Sequence, residues 1–107
     1  MNKRTFLLTY NDALDRNEIK TILNRLKIIQ NWLSWSKNHF FLVTPSDVTA
    51  KQLNESLKPL RSNKSALFFV CHIDDDRDGW LSRDTWKFLR QPKAVWEEDD
   101  KGEARRG

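Results

Sequence analysis

Apolar and polar positions change period several times along this chain, and each change marks an element. Thr5-Phe6-Leu7-Leu8-Thr9-Tyr10 is a short run of strand formers closed by Asn11-Asp12, which predicts a first strand. Asp15 then precedes Glu18 at capping-box spacing. Ile19, Ile22, Leu23 and Leu26 follow with helical periodicity, and Lys20, Asn24 and Lys27 fall on the other side. Ile28 to Ser36, with Ile29, Trp32, Leu33 and Trp35, reads as a second strand, and Lys37-Asn38 as a tight turn. His39-Phe40-Phe41-Leu42-Val43-Thr44 is a third strand antiparallel to the second, broken by Pro45-Ser46. Thr49 and Gln52 repeat the capping-box spacing, with Val48 and Leu53 placed for a hydrophobic staple. Leu53, Leu57 and Leu60 line one helical face, which Pro59 helps to end. After the polar loop Ser62–Ser65, Ala66 to Ile73 forms a fourth strand. Ser82 is placed to cap a last helix carrying Trp86, Phe88 and Leu89, closed by Gln91-Pro92.

Strand, helix, strand, strand, helix, strand is the order of an α+β, ferredoxin-like βαββαβ sandwich, here with a C-terminal helical extension. Residues 1–92 are expected to form the domain and 93–107 a charged, disordered tail in which only Trp96 docks. The third and fourth strands are apolar on both faces, whereas a sheet with one wet face alternates. The outer face is therefore expected to be covered, most simply by a second copy of the chain.

At 107 residues the chain fits one domain with a modest two-layer core. Its single cysteine, Cys71, forms no internal disulfide, which suits a reducing compartment. No apolar run approaches the roughly 20 residues that span a bilayer. The N-terminus lacks the features of a secretory signal, so a soluble cytoplasmic protein with no membrane role is expected. Charge is unevenly spread. Residues 1–71 carry 11 − 5 = +6 and residues 72–107 carry 8 − 10 = −2. A basic body is compatible with RNA or double-stranded DNA, and equally with a solvated surface. Arg16, Lys20, Lys27, Lys37 and Arg61, at the first helix, the hairpin turn and a helix end, are the candidates for phosphate contact.

The ordered set of features resembles the SinR-like family. It comprises a first strand ending in Tyr-Asn-Asp, a Trp-containing second strand, His39–Val43, the Thr-Ala-Lys-Gln-Leu helix leading to Leu-Lys-Pro-Leu, the last apolar strand, and Gly79-Trp80-Leu81 with Trp86. That family consists of small ferredoxin-like proteins related to the small CRISPR-associated endoribonuclease subunit and to VapD-type nucleases. The resemblance implies a homodimer whose sheets pack together and, in nuclease relatives, a metal-dependent endonuclease site. There, an Asp after the aromatic residue of the first strand faces its copy across the dimer axis and shares a divalent metal. Here that position is Asn11 and the carboxylate stands one place later, at Asp12. The implied magnesium ligands are Asn11 and Asp12, with Asp12 catalytic if the strand ends in a bulge. A neutral amide supplies neither charge nor base, so the nuclease activity is expected to be weak or lost. Relatives that bind duplex DNA without cutting keep nucleic-acid binding open.

Other chemistry is less well supported. Asp74, Asp76 and Asp78, with Gly79 and Ser82, spell the first two-thirds of a calcium loop. The bidentate Glu of its last position is Thr85, and an apolar strand replaces the entering helix, which favours a solvated bend over calcium. Trp80 and Leu81 are expected to return the chain to the core. His39 and His72 have acid–base chemistry near neutrality, but their spacing pairs them with no Ser or Cys. Cys71 reads as a core residue. Trp32 and Trp35 are expected on opposite strand faces, and most of the five tryptophans in a core or interface. A non-enzymatic protein-interaction module, with a protein partner on an aromatic surface, is the competing reading.

Overall fold

The structure, a computed structural model, describes residues 3–97. Four strands, Lys3–Tyr10 (β1), Asn31–Ser36 (β2), His39–Pro45 (β3) and Phe68–Ile73 (β4), form one antiparallel sheet in the order β2-β3-β1-β4. The helices are Arg16–Arg25 (α1), Ala50–Ser56 (α2) and Arg83–Arg90 (α3), with short 3-10 turns at Lys58–Ser62 and Val95–Glu97. The architecture is a small α+β fold compatible with the ferredoxin-like plan read from the sequence.

Local chemistry starts each helix where the capping residues predict. The Asp15 side chain accepts from the Glu18 N–H. Thr49 and Gln52 complete a reciprocal capping box, at 3.1 and 2.8 Å. Ser82 accepts from the Thr85 N–H and opens α3. Each cap satisfies donors that a helix terminus leaves orphaned.

Pairing of β1 with β3 (Phe6 opposite Leu42, Leu8 opposite Phe40) puts one set of side chains on the inner face. There Phe6, Leu8, Tyr10, Trp32, Phe40 and Leu42 meet Ile19 and Leu23 of α1, Leu53 of α2 and Leu57, which caps α2. The alternate set (Leu7, Leu33, Phe41, Val43 and Ile73) faces outward, where Phe88 and Leu89 of α3, with Leu81 and Trp86, cover it. The outer cover over β2 and β3 is thus the chain's own last helix rather than a second copy. Trp35 joins this face by stacking flat on Phe41, with ring centroids 4.9 Å apart, while Trp32 points inward. A β-bulge between Ser34 and Ser36 sits in the same strand.

Two expectations need correction. Residues 93–97 are not a free tail. The Asn31 amide donates to the Lys93 carbonyl, the Val95 N–H donates to the Gln30 carbonyl, and Ala94 is fully buried. Asn31 is itself buried among apolar strands, and this bond gives its amide a partner. The remainder of the expected tail, 98–107, lies outside the described residues. Trp80 does not return to the core: it is fully exposed, and Leu81 alone reaches the outer cluster. Asp74 accepts from the Asp76 N–H in an Asx turn and Asp78 from the adjacent Gly79 N–H, and the chain leaves this bend with the indole in solvent.

The two apolar layers differ in how firmly they tie the fold. Phe6→Ala, at a fully buried site between both inner helices, is expected to cost about 3–5 kcal/mol, a large part of a small domain's stability. Phe88→Ala is expected to cost less in global urea unfolding. It should instead raise hydrogen exchange selectively in residues 81–90, because a terminal helix can detach locally.

Candidate functional site

The C-terminal end of β1 is where chemistry-bearing residues from three segments meet. The hairpin turn between β2 and β3 is fastened to β1 there: the Tyr10 N–H donates to the Asn38 carbonyl (3.2 Å) and the Tyr10 hydroxyl to the Lys37 carbonyl (2.9 Å). The Asn38 amide donates in turn to the Tyr10 carbonyl (2.8 Å) and to Asp12 Oδ1 (2.9 Å). The first turn of α1 closes the other side. The result is a cleft of about 440 Å3 lined by Tyr10, Asp12, Asp15, Arg16, Lys37 and Asn38, with Ala13 and Leu14.

Three sequence candidates, Asp12, Arg16 and Lys37, share this cleft. Lys37 Nζ stands 3.8 Å from Asp12 Oδ1, but both side chains are about four-fifths exposed (82% and 78%). A pair so exposed contributes little to stability, so the ammonium remains open to exchange for a ligand anion. The Arg16 guanidinium lies close enough to the Tyr10 phenol to favour its ionised form. Burial pushes that phenol above its ordinary value of 10.0; Arg16 opposes the shift without cancelling it. The cleft floor is therefore a neutral hydrogen-bonding group at physiological pH, with cations at its rim.

The remaining candidates lie elsewhere. Lys20 sits one helical turn beyond Arg16 and lies over the Trp32 ring, 5.7 Å from its centroid. Lys27 is exposed beyond the end of α1. The Arg61 guanidinium donates to the Asn54 carbonyl and side-chain oxygen (3.1 and 2.9 Å), fixing the turn after α2. Asn11 points away from Asp12. Its amide donates to the Ser65 carbonyl (2.9 Å), and its oxygen accepts from the Leu67 N–H (3.2 Å). Asn11 thus clamps the lead into β4.

A magnesium ion implied by the family resemblance does not fit the donors of a single chain. Asn11 has its oxygen committed to Leu67, Asp15 caps α1, and the one remaining carboxylate, Asp12, has an ammonium beside it. Among the described residues no group of three His, Cys, Asp or Glu side chains converges for a metal. In the calcium-like run, Asp74 accepts from the Asp76 N–H and Asp78 from the Gly79 N–H. Arg77 lies between them, donating to the Asp74 and Leu89 carbonyls. These carboxylates terminate turns and steady the approach to α3. His39 lies tilted against Trp35 on the outer face, whereas His72 lies near Phe6 on the inner face, so the two do not pair. Cys71 is half-buried on the outer face of β4. Among the described residues no helix is long and apolar enough to cross a membrane.

The signal for Asn11 as a clamp was present in the sequence only as an amide beside a strand end. Its two partners are more than fifty residues away. Asn11→Asp is expected to destabilise the fold by about 1 kcal/mol, since a carboxylate cannot donate to the Ser65 carbonyl. Thermal melting checks this.

Tyr10 is the single tyrosine, so the ultraviolet titration of the phenolate reports it alone. The midpoint is expected above 10 in the folded protein, returning to about 10 in guanidinium. Because the folded value is raised, the phenol's stabilising contribution is complete below the unfolded value. It is lost as pH rises through the folded one. Tyr10→Phe should accordingly flatten the alkaline loss of stability.

No known family model, curated protein or solved structure matches this chain.

Proposed function

We propose that this chain is a homodimeric, ferredoxin-like, nucleic-acid-associated protein that holds a sugar-phosphate backbone at the β1–α1 cleft and has little or no nuclease activity. The observation that carries this reading is the convergence of Arg16 and Lys37, from different elements, on one cleft floored by Tyr10 and Asn38. A guanidinium and an ammonium at the rim offer a phosphate fork-like and point-charge contacts. Phosphate binding at Lys37 replaces a weak exposed partner, Asp12, so little is lost on exchange. Such contacts position a backbone without reading sequence.

Support for the absence of strong catalysis is chemical. The position that carries a carboxylate in nuclease relatives is a neutral amide whose oxygen and nitrogen are both engaged. Asp12 is a hydrogen-bond acceptor for Asn38, and this holds the hairpin against β1.

A second reading is favoured by one specific observation. Leu67, Phe69 and Trp80 are large apolar side chains exposed by 70%, 61% and 100%. Exposed apolar residues of this size suit a protein partner. The two readings separate by salt. Nucleic-acid binding should weaken steeply as salt rises, whereas an apolar protein contact should not.

Fluorescence anisotropy with labelled RNA and duplex DNA is expected to show binding at low salt. Arg16→Ala and Lys37→Ala should each weaken it on all sequences alike and each reduce the salt slope by about 1. No detectable binding to either nucleic acid at low salt overturns the proposal. In magnesium, wild type and Asp12→Ala are expected to cleave equally little. Cleavage that Asp12→Ala abolishes would instead make Asp12 catalytic.

A further inference from the structure

The two edges of the sheet are built differently. At the β2 edge, the bulge between Ser34 and Ser36 breaks the ladder, and the 93–95 segment bonds to Gln30 and Asn31. Bulges and covering segments are standard protection against strand addition. Among the described residues the β4 edge has neither. Its sequence, FFVCHI, contains no proline, glycine, lysine or acidic residue, and β1 is its strand neighbour on one side only. Phe69 and, just before the strand, Leu67 are the exposed large apolar residues beside it.

The hydrogen-bonding phase of this edge follows from the β1 ladder. The Asn11 N–H donates to the Leu67 carbonyl in register with the β1–β4 pairs. By alternation Phe69, Cys71 and Ile73 bond to β1, and the N–H and C=O groups of Phe68, Val70 and His72 point to the open side. These three residues are symmetric about Val70.

Charge is also symmetric about Val70, with opposite sign. The approach to β4 holds Lys58, Arg61 and Lys64 with no carboxylate, 3 − 0 = +3. The exit holds Asp74, Asp75, Asp76 and Asp78 with Arg77, 1 − 4 = −3. A strand whose two ends carry opposite charge is self-complementary only when paired antiparallel with a copy of itself.

We infer that β4 is the homodimer interface, pairing antiparallel with β4 of a second copy about a two-fold axis at Val70 to give one continuous eight-stranded sheet. This rests on the homodimer reading above and gives it an edge-to-edge geometry rather than the stacking of two sheets. Val70 faces the partner's Val70, and Phe68 faces the partner's His72. All three outward N–H groups of each chain find carbonyls. On the outer face Phe69 lies opposite the partner's Cys71, and the basic approach of each chain lies beside the acidic exit of the other. An extended peptide from another protein would satisfy the same backbone groups but has no reason to carry this charge order.

Two variants of the full chain test the interface. Val70→Pro removes an N–H that the β1 ladder does not use, so the fold is expected to keep its circular dichroism. Two donors are lost per dimer, and association measured by sedimentation equilibrium should weaken by roughly 30-fold. Phe69→Cys places a thiol opposite the partner's Cys71 in a non-hydrogen-bonded pair, where Cα atoms stand about 4.5 Å apart, within disulfide range. Mild oxidation should yield a disulfide-linked dimer that peptide mapping assigns to positions 69 and 71. This second variant decides the matter if the proline variant fails to fold. A wild-type dimer whose Phe69→Cys variant forms no such cross-link overturns the β4 interface and leaves the homodimer reading standing. A wild-type chain that stays monomeric at the highest attainable concentration overturns both.

Discussion

The pairing of β1 with β3 is the constraint on which the rest of this molecule depends. It buries Phe6 and Leu8 against Leu42 and Phe40 and so decides which side chains meet α1 and α2. A slip of one residue would turn Leu7, Phe41 and Val43 toward those helices and expose Phe6 and Phe40, reversing both faces at once. The pairing also carries its own lock. Tyr10, at the last position of β1, is tied through its backbone and its hydroxyl to the hairpin turn at Lys37 and Asn38. The same lock assembles the candidate site, because it brings the turn's ammonium to the first turn of α1. Register and site are consequences of one set of hydrogen bonds.

The second face of the sheet shows how a single chain handles strands that are apolar on both sides. Phe41 and Val43 are buried by Phe88 and Leu89 of α3, with Trp35 stacked across Phe41. Arg77 steadies the approach by bonding a carbonyl within the bend and one at the end of α3. The aspartate run therefore has a mechanical role: its carboxylates accept from the backbone N–H groups of its own turns and release the chain toward the outer face. α3 reaches β4 only at Ile73 and leaves Phe69 exposed, beside the open backbone groups of the strand.

Much of the fold was legible because its signals are local. Capping pairs such as Thr49 and Gln52, apolar spacing such as Ile19 and Leu23, and the turn at Lys37-Asn38 act within a few residues, where spacing and geometry are tied together. The second and fourth strands begin two or three residues later than their composition suggests. Ile28–Gln30 and Ala66–Leu67 have strand-like composition but lie in turns and connections, which tertiary contacts hold. Trp80 illustrates the opposite failure: an aromatic residue among polar ones reads as an anchor, yet the bend presents it to solvent. Of the basic residues, Arg16 and Lys37 gather in one cleft, while Arg61 is occupied by Asn54. Composition does not distinguish a free cation from one used as a brace.

By itself the sequence determined the kinds and order of the elements, the alternation that sorts Trp32 from Trp35, and the doubled apolar character of the third and fourth strands. These depend on backbone periodicity and neighbour chemistry, which act over one or two turns. The tertiary structure alone decided that α3 covers the outer face as far as Ile73 and leaves Phe69 of β4 exposed. It also decided that Asn11 clamps a strand while Asp12 holds a hairpin, and that the 93–97 segment docks on β2. Each of those outcomes joins residues twenty-five or more positions apart, as the Asn31–Lys93 and Asn11–Ser65 bonds do. Such contacts form only after the sheet has brought their partners together, so no local pattern encodes them.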